Sequence, residues 1–254
     1  MRVGLLYPGE MGTAVGSAIR GEVLWASEGR SEATRERAAT FTDMGSVSQL
    51  VQASEVVVSI CPPAIAEDVA REVFELGFDG IYLDANAISP TRMRRIAELG
   101  PQIVDGSIIA ATGINVYLAG EHADDVAALF DEPAVKTIVV GDQVGSASAL
   151  KMAFGGWNKI GIALTAQAHA IARAFGVTEW LEAEGVSADR LPRMAGRAWR
   201  WAPEMEEIAD TCAELGLPEE IPRGAAQLYR RWESHRGAPA DLDRLLHDLR
   251  VERG

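Results

Sequence analysis

Val3-Gly4-Leu5-Leu6-Tyr7-Pro8-Gly9-Glu10-Met11-Gly12-Thr13-Ala14-Val15 is the stretch that decides the fold. Val3–Tyr7 is a short apolar run of strand length, Pro8 to Gly12 is a turn, and Ala14, Val15, Ala18 and Ile19 then recur at helical spacing. A strand, a glycine turn and a helix in that order are the setting of the dinucleotide fingerprint G-x-G-x-x-G. There the second Gly lets a pyrophosphate approach the backbone and the third lets the helix pack closely on the strand. Gly9 and Gly12 fill those two positions, and Tyr7 stands where the first Gly belongs. The turn residues Pro8, Gly9, Glu10, Met11 and Gly12 are therefore the first candidate cofactor contacts.

Outward from this turn, strand-like and helix-like runs alternate. Val23–Ala26, Val56–Ile60, Ile81–Asp84, Ile103–Val104 and Ile138–Val140 read as strands. Thr13–Arg20, Ser31–Ala39, Ala64–Leu76 and Pro90–Leu99 read as helices. Pro90 suits a first helical position with Ser89 as its cap, and Gly77 and Gly100 suit helix ends. Repeated βαβ units predict a mostly parallel sheet. After Gly141 the strand signal stops: Val144 to Phe175 is rich in Ala at helical spacing, Gly176 ends it, and short helices broken by Pro and Gly follow, the last break at Gly237-Ala238-Pro239. The expected class is α/β, with a Rossmann dinucleotide-binding domain over residues 1–143. A long interdomain helix then opens an all-α part over residues 144–254.

The second strand ends in Ala26-Ser27-Glu28-Gly29-Arg30-Ser31. An acidic residue at this place accepts the ribose 2′-hydroxyl of NAD, and an Arg pairs with the 2′-phosphate of NADP. Glu28 argues for NAD, whereas Arg30 flanked by Ser27 and Ser31 makes an anion pocket; the balance favours NADP(H) over NAD.

The whole-chain charge narrows the partners. Over 254 residues, 24 Lys and Arg against 37 Asp and Glu leave a net charge of −13, a field that repels nucleic acid and anionic membranes. An anionic ligand has to be held locally. Cys61 and Cys212 are too far apart in sequence to suggest a disulfide framework or a metal site, and no apolar run reaches membrane-span length. These features predict a soluble, cytoplasmic protein with free thiols, no metal and a small-molecule substrate.

Five motifs recur in order: Gly9-Glu10-Met11-Gly12, Gly29-Arg30-Ser31, Val58-Ser59-Ile60-Cys61-Pro62-Pro63, Asp84-Ala85-Asn86-Ala87-Ile88-Ser89-Pro90, and Gly145-Ser146-Ala147-Ser148-Ala149-Leu150-Lys151-Met152. Over about residues 1 to 175 they resemble the β-hydroxyacid dehydrogenases, phosphogluconate dehydrogenase among them, and in particular a branch with a small helical C-terminal domain. The resemblance implies an NAD(P)-dependent oxidoreductase, with Cys61, Pro62, Pro63 and Asn86 beside the cofactor. It implies a homodimer formed through the C-terminal helices, and it makes Lys151 the proton-transfer residue. Lys151 is the sole charge between Gln143 and Asn158. A Lys partly desolvated beside a nicotinamide can exchange a proton with a substrate oxygen while hydride moves at carbon.

Three departures bear on the substrate. Where the family carries a Ser-Thr pair this chain has Asn86-Ala87; where it carries Ser-Gly-Gly this chain runs Ser107-Ile108-Ile109-Ala110-Ala111; and four residues after the Lys an Asn is replaced by Gly155. Asn86, Ser107 and Asn158, the last two turns beyond Lys151 on the same helical face, are the candidate substrate contacts. The altered loops favour a ketone, alcohol or imine over a simple hydroxy acid. Imine reduction and a non-catalytic NADP(H)-binding or redox-sensing module remain alternatives. His169 lies 18 residues past Lys151, about 27 Å along a helix, and reads as structural. Gly155-Gly156 inside a helix predicts a close contact or a kink.

Overall fold

The apolar runs of the first half form the strands of one sheet in the computed structural model, which describes residues 1–130, 134–237 and 240–250. Ala238-Pro239 of the last predicted break lies outside them. The chain divides into two compact units, Met1–Lys151 and Met152–Gly254.

The first unit contains β1 (Arg2–Leu6), α1 (Glu10–Gly16), β2 (Glu22–Trp25), α2 (Glu32–Arg37), β3 (Thr42–Asp43), α3 (Val47–Ala53), β4 (Val56–Ser59), α4 (Ala66–Glu75) and β5 (Ile81–Asp84). It continues with α5 (Pro90–Ala97), β6 (Ile103–Ile109), β7 (Ile114–Ala119), α6 (Ala123–Ala127), β8 (Val135–Gly141) and the start of α7 (Ser146–Phe175). The sheet order is β3-β2-β1-β4-β5-β6-β7-β8, parallel except where β6 meets β7. Successive residues go to opposite faces, and both faces are buried. Val3, Leu5, Val56, Val58 and Leu83 join one core, and Leu6, Val57, Tyr82 and Ile103 the other. That is why the strands read as continuous apolar runs, as they do in parallel sheets whose crossover helices cover both faces.

Several expectations change at their edges. α1 starts at Glu10 and ends at Gly16, where a Cβ would stand 2.7 Å from Leu5 Cδ2. Ser89 caps α5 as expected, accepting from Arg92 N at 3.3 Å, and Gly77 has the positive φ of a helix end, 82°. Gly100 is not a left-handed cap: a Cβ there would fall 2.3 Å from the Phe74 ring, so the position is small for packing. β3, α3, β7 and α6 are elements additional to those expected, and β6 runs on to Ile109.

The second unit takes the rest of α7 and adds α8 (Thr178–Ala183), α9 (Leu191–Ala198), α10 (Trp201–Glu214), α11 (Glu220–Arg231) and α12 (Leu242–Asp248). Its core closes around fully buried Trp232, whose Nε1 donates to Leu245 O at 3.0 Å, and Tyr229, set edge-on to Trp201 at 5.2 Å. The Gly155-Gly156 pair serves close contact with α10. A Cβ on Gly155 would stand 2.8 Å from Glu204 Oε1, and Glu204 pairs with Lys159. His169 is fully buried, with Nε2 hydrogen-bonded to Val186 O at 2.8 Å, in keeping with a structural role. No helix among the described residues is long and apolar enough to cross a membrane.

Candidate active site

The strand order reverses at β1, between β2 and β4, and in such sheets a crevice opens beyond the carboxyl ends of the strands. Most of the candidate residues of the first unit lie on loops at that edge. Pro8 and Gly9 follow β1, with Glu10, Met11 and Gly12 opening α1; Ser27 to Ser31 follow β2, Cys61 to Pro63 follow β4, and Asn86 follows β5.

The turn after β1 is tight: Gly9 N donates to Tyr7 O at 2.7 Å, and Thr13 Oγ1 donates to Pro8 O at 3.2 Å. Tyr7 has φ 62°, a left-handed conformation that Gly adopts freely and that costs another residue roughly 1–2 kcal/mol. Gly12 is held close, since a Cβ there would stand 2.7 Å from Tyr7 O. Around Gly9 nothing lies within 4 Å of where a Cβ would point. The turn therefore leaves open space at the position where the fingerprint brings a pyrophosphate to the backbone.

In the loop after β2, Ser27 is buried; its N–H donates to Asp43 Oδ1 at 3.2 Å and its carbonyl accepts from Arg35 Nη2 at 2.8 Å. Hydrogen bonds hold the Asp43 carboxyl below its usual range against the opposing effect of burial. Arg30 is half-buried and lies over the Tyr7 ring, its Cζ 3.8 Å from the ring centroid, with Nε buried and unpaired. Glu28 and Ser31 are exposed. An open turn at Gly9, together with an Arg whose Nε has no partner among the described residues, fits a dinucleotide.

Asn86 is buried and ties the ends of β4 and β5 together. Its Oδ1 accepts from Cys61 N at 2.6 Å, and its Nδ2 donates to Asp84 Oδ2 at 2.9 Å and Ser59 Oγ at 3.2 Å. Burial pushes the Asp84 carboxyl up to about 7, against the hydrogen bonds it accepts from Asn86. The Cys61 thiol is likewise pushed up to about 12, by burial first and then by Asp84. This is a thiol kept protonated, not a nucleophile.

The last group sits at the end of β6. Lys151 Nζ donates to Ile108 O at 2.7 Å, so the ammonium is held at the carboxyl end of a parallel strand, the edge the loops share. β6 also holds the start of α7. Asp105 accepts from Gly145 N at 2.8 Å, Ser148 N at 3.0 Å and Ser148 Oγ at 2.6 Å, and buried Ser107 donates to Ala147 O at 2.7 Å. Burial raises the Asp105 carboxyl, opposed by these donors. Asp105 carried no functional signal in the sequence beyond being a polar residue inside an apolar run. Asn158 belongs to the second unit, where it lines a cavity of about 260 Å³ with Trp157, Thr165, Ser187 and Arg190. Among the described residues no cluster of His, Cys, Asp and Glu has the makings of a metal site.

Comparison with known proteins agrees with this architecture. A family described as a domain of unknown function (DUF1932) matches residues 172–232. A conserved protein of unknown function, whose structure is described as similar to 3-hydroxyacid dehydrogenases, is 28% identical, with a TM-score of 0.71 over 92% of this chain and 98% of its own. The 3-hydroxyisobutyrate dehydrogenase of Mycobacterium tuberculosis shares the fold at a TM-score of 0.74 and 16% identity, over 98% of this chain and 99% of its own. An imine reductase of Streptomyces aurantiacus shares it at 0.53 and 18%, over 99% and 100%.

Proposed function

We propose, from the premise that the chain is a 3-hydroxyacid dehydrogenase-like protein, that it is an NADP(H)-dependent oxidoreductase acting on a small carbonyl or alcohol, with Lys151 as general acid and base. The observation that carries this is the position of the Lys151 ammonium on Ile108 O, at the sheet edge where the Gly9 turn and the Arg30 loop also lie. A bound NADPH supplies the hydride that reduces the substrate carbon. The chain's own part is to hold the dinucleotide and the proton. Gly9 leaves room for the pyrophosphate, Arg30 meets the 2′-phosphate, and Asn86 fixes the loops after β4 and β5 that flank the cofactor. Asp105 and Ser107 set the first turns of α7 and with them Lys151. Nζ gives its proton to the carbonyl oxygen as the carbon is reduced, and takes it back in the reverse direction.

A second reading, imine reduction, draws support from Asn86-Ala87 and Ile109-Ala110-Ala111, which offer a substrate carboxylate fewer hydroxyls and glycine amides than the loops they replace. Lys151 would then protonate nitrogen. Asn158 is retained as a proposed substrate contact from its sequence spacing alone. The reading places the chain in the cytoplasm, the compartment of its cofactor and of its two unpaired thiols.

Steady NADPH consumption with a panel of ketones, hydroxy acids and imines tests the assignment. Turnover should fall by roughly 10²–10⁴-fold in Lys151→Met, the usual worth of a positioned proton donor, with NADPH affinity nearly unchanged. A Lys151→Met variant of undiminished activity would refute the role. A wild type that binds NADPH and turns over no substrate class would point instead to a sensing module.

A further inference from the structure

Given Arg30 as the partner of an adenosine 2′-phosphate, which rests on the function proposed above, we infer that Tyr7 is the residue that positions it and so sets the cofactor preference. Among the described residues no hydrogen bond or ion pair engages the Arg30 side chain, and its Nε is buried with no partner. What places it is the face of Tyr7, 3.8 Å from Cζ to the ring centroid. Arg35, a neighbouring guanidinium, is by contrast anchored on Ser27 O at 2.8 Å. The donors of a guanidinium all lie in its plane, so a stacked Arg keeps its edges available for the paired bonds a phosphate makes. Without the ring, a long side chain next to Gly29, itself at φ 70°, would have little to hold it in one orientation.

The backbone supports the same conclusion. Tyr7 is the one non-glycine at positive φ among the described residues, at the very position where the dinucleotide motif has Gly. Gly would relieve the strain there and lose nothing from the turn, because the bond that closes it, Gly9 N to Tyr7 O, is made by the backbone. What a Tyr supplies and a Gly cannot is a ring, packed in part against the second core and in part under Arg30, and only the second contact bears on the guanidinium. The hydroxyl is not needed for this, so Phe should serve as well.

Isothermal titration of the full chain with 2′-phospho-ADP-ribose and with ADP-ribose reads the preference directly, apart from any turnover. The wild type should bind the phosphorylated ligand about 10- to 100-fold more tightly, as charge-assisted bonds to a phosphate would give. Tyr7→Gly should reduce that ratio about three- to thirtyfold, the worth of a cation–π contact, while Tyr7→Phe keeps it. Arg30→Ala should abolish the ratio, and adding Tyr7→Gly to it should change the ratio no further. Melting curves should show Tyr7→Gly folded, since Gly accepts the conformation; if it is not, loss of the ratio in Tyr7→Phe overturns the inference on its own. A Tyr7→Gly variant that keeps the ratio, or weakens both ligands equally, also overturns the positioning role while leaving Arg30 as the reader. A wild type without preference for the 2′-phosphate removes the Arg30 assignment itself.

Discussion

Gly9 caps α1 and Gly12 lies three positions on in its first turn, yet the physical demands on them differ. Gly9 has φ −73°, which any residue adopts, and open space around its missing side chain. Gly12 has a backbone oxygen 2.7 Å from where its Cβ would be. Gly9→Ala should therefore leave the melting temperature unchanged while weakening dinucleotide binding. Gly12→Ala should cost about 1–3 kcal/mol of stability through overpacking, even without ligand. Thermal unfolding with and without NADPH separates the two; a Gly9→Ala that binds as the wild type does would remove the pyrophosphate from this turn. Both glycines were legible from the strand, turn and helix around them. The Tyr7–Arg30 stack was not, because the two residues are 23 positions apart and only the pairing of β1 with β2 brings their loops side by side.

At the scale of elements, the tie between β6 and α7 combines fold and site. Three donors at the start of α7 converge on one buried carboxylate, Asp105. Asp105→Ala would strand them, costing about 2–4 kcal/mol for lost capping and unsatisfied buried groups. Urea unfolding should register this, and turnover should fall more than NADPH affinity does, because Lys151 rides on the helix whose start has been released. Unchanged stability would show that water or a neighbouring group satisfies the donors. This tie also explains where sequence and structure part. β6 was readable only as Ile103–Val104, since Asp105, Gly106 and Ser107 break the apolar run, yet the Asp105 and Ser107 side chains are buried and hold a helix. β7 alternates Ile114, Val116 and Leu118 with Asn115 and Tyr117, a pattern available in the sequence but hidden within a long uncharged stretch. The parallel strands β1, β2, β4 and β5 were legible to within about a residue, because burial on both faces leaves no alternative to apolar runs.

For the whole molecule, the helical unit carries apolar surface that its own core does not use. Trp157, Leu164, Ile171 and Phe175 of α7 are 76%, 59%, 57% and 80% exposed, the first three seven residues apart. Leu164, Ile171 and Phe175 line a groove of about 660 Å³ closed on its other side by α11. We propose that a second copy of the chain covers this face, giving a homodimer. Sedimentation should show a dimer for the wild type and a monomer for Leu164→Glu/Ile171→Glu, whereas a monomeric wild type at micromolar concentration would refute the pairing. The distribution of charge favours such self-association: none of the 37 acidic residues falls within Ser146–Phe175. Two copies that repel through their acidic surfaces would thus meet along a helix that adds no acidic charge to the repulsion. Raising ionic strength should screen that repulsion and leave the apolar contact intact, so that the dimer tightens with added salt, the reverse of a complex held by ion pairs.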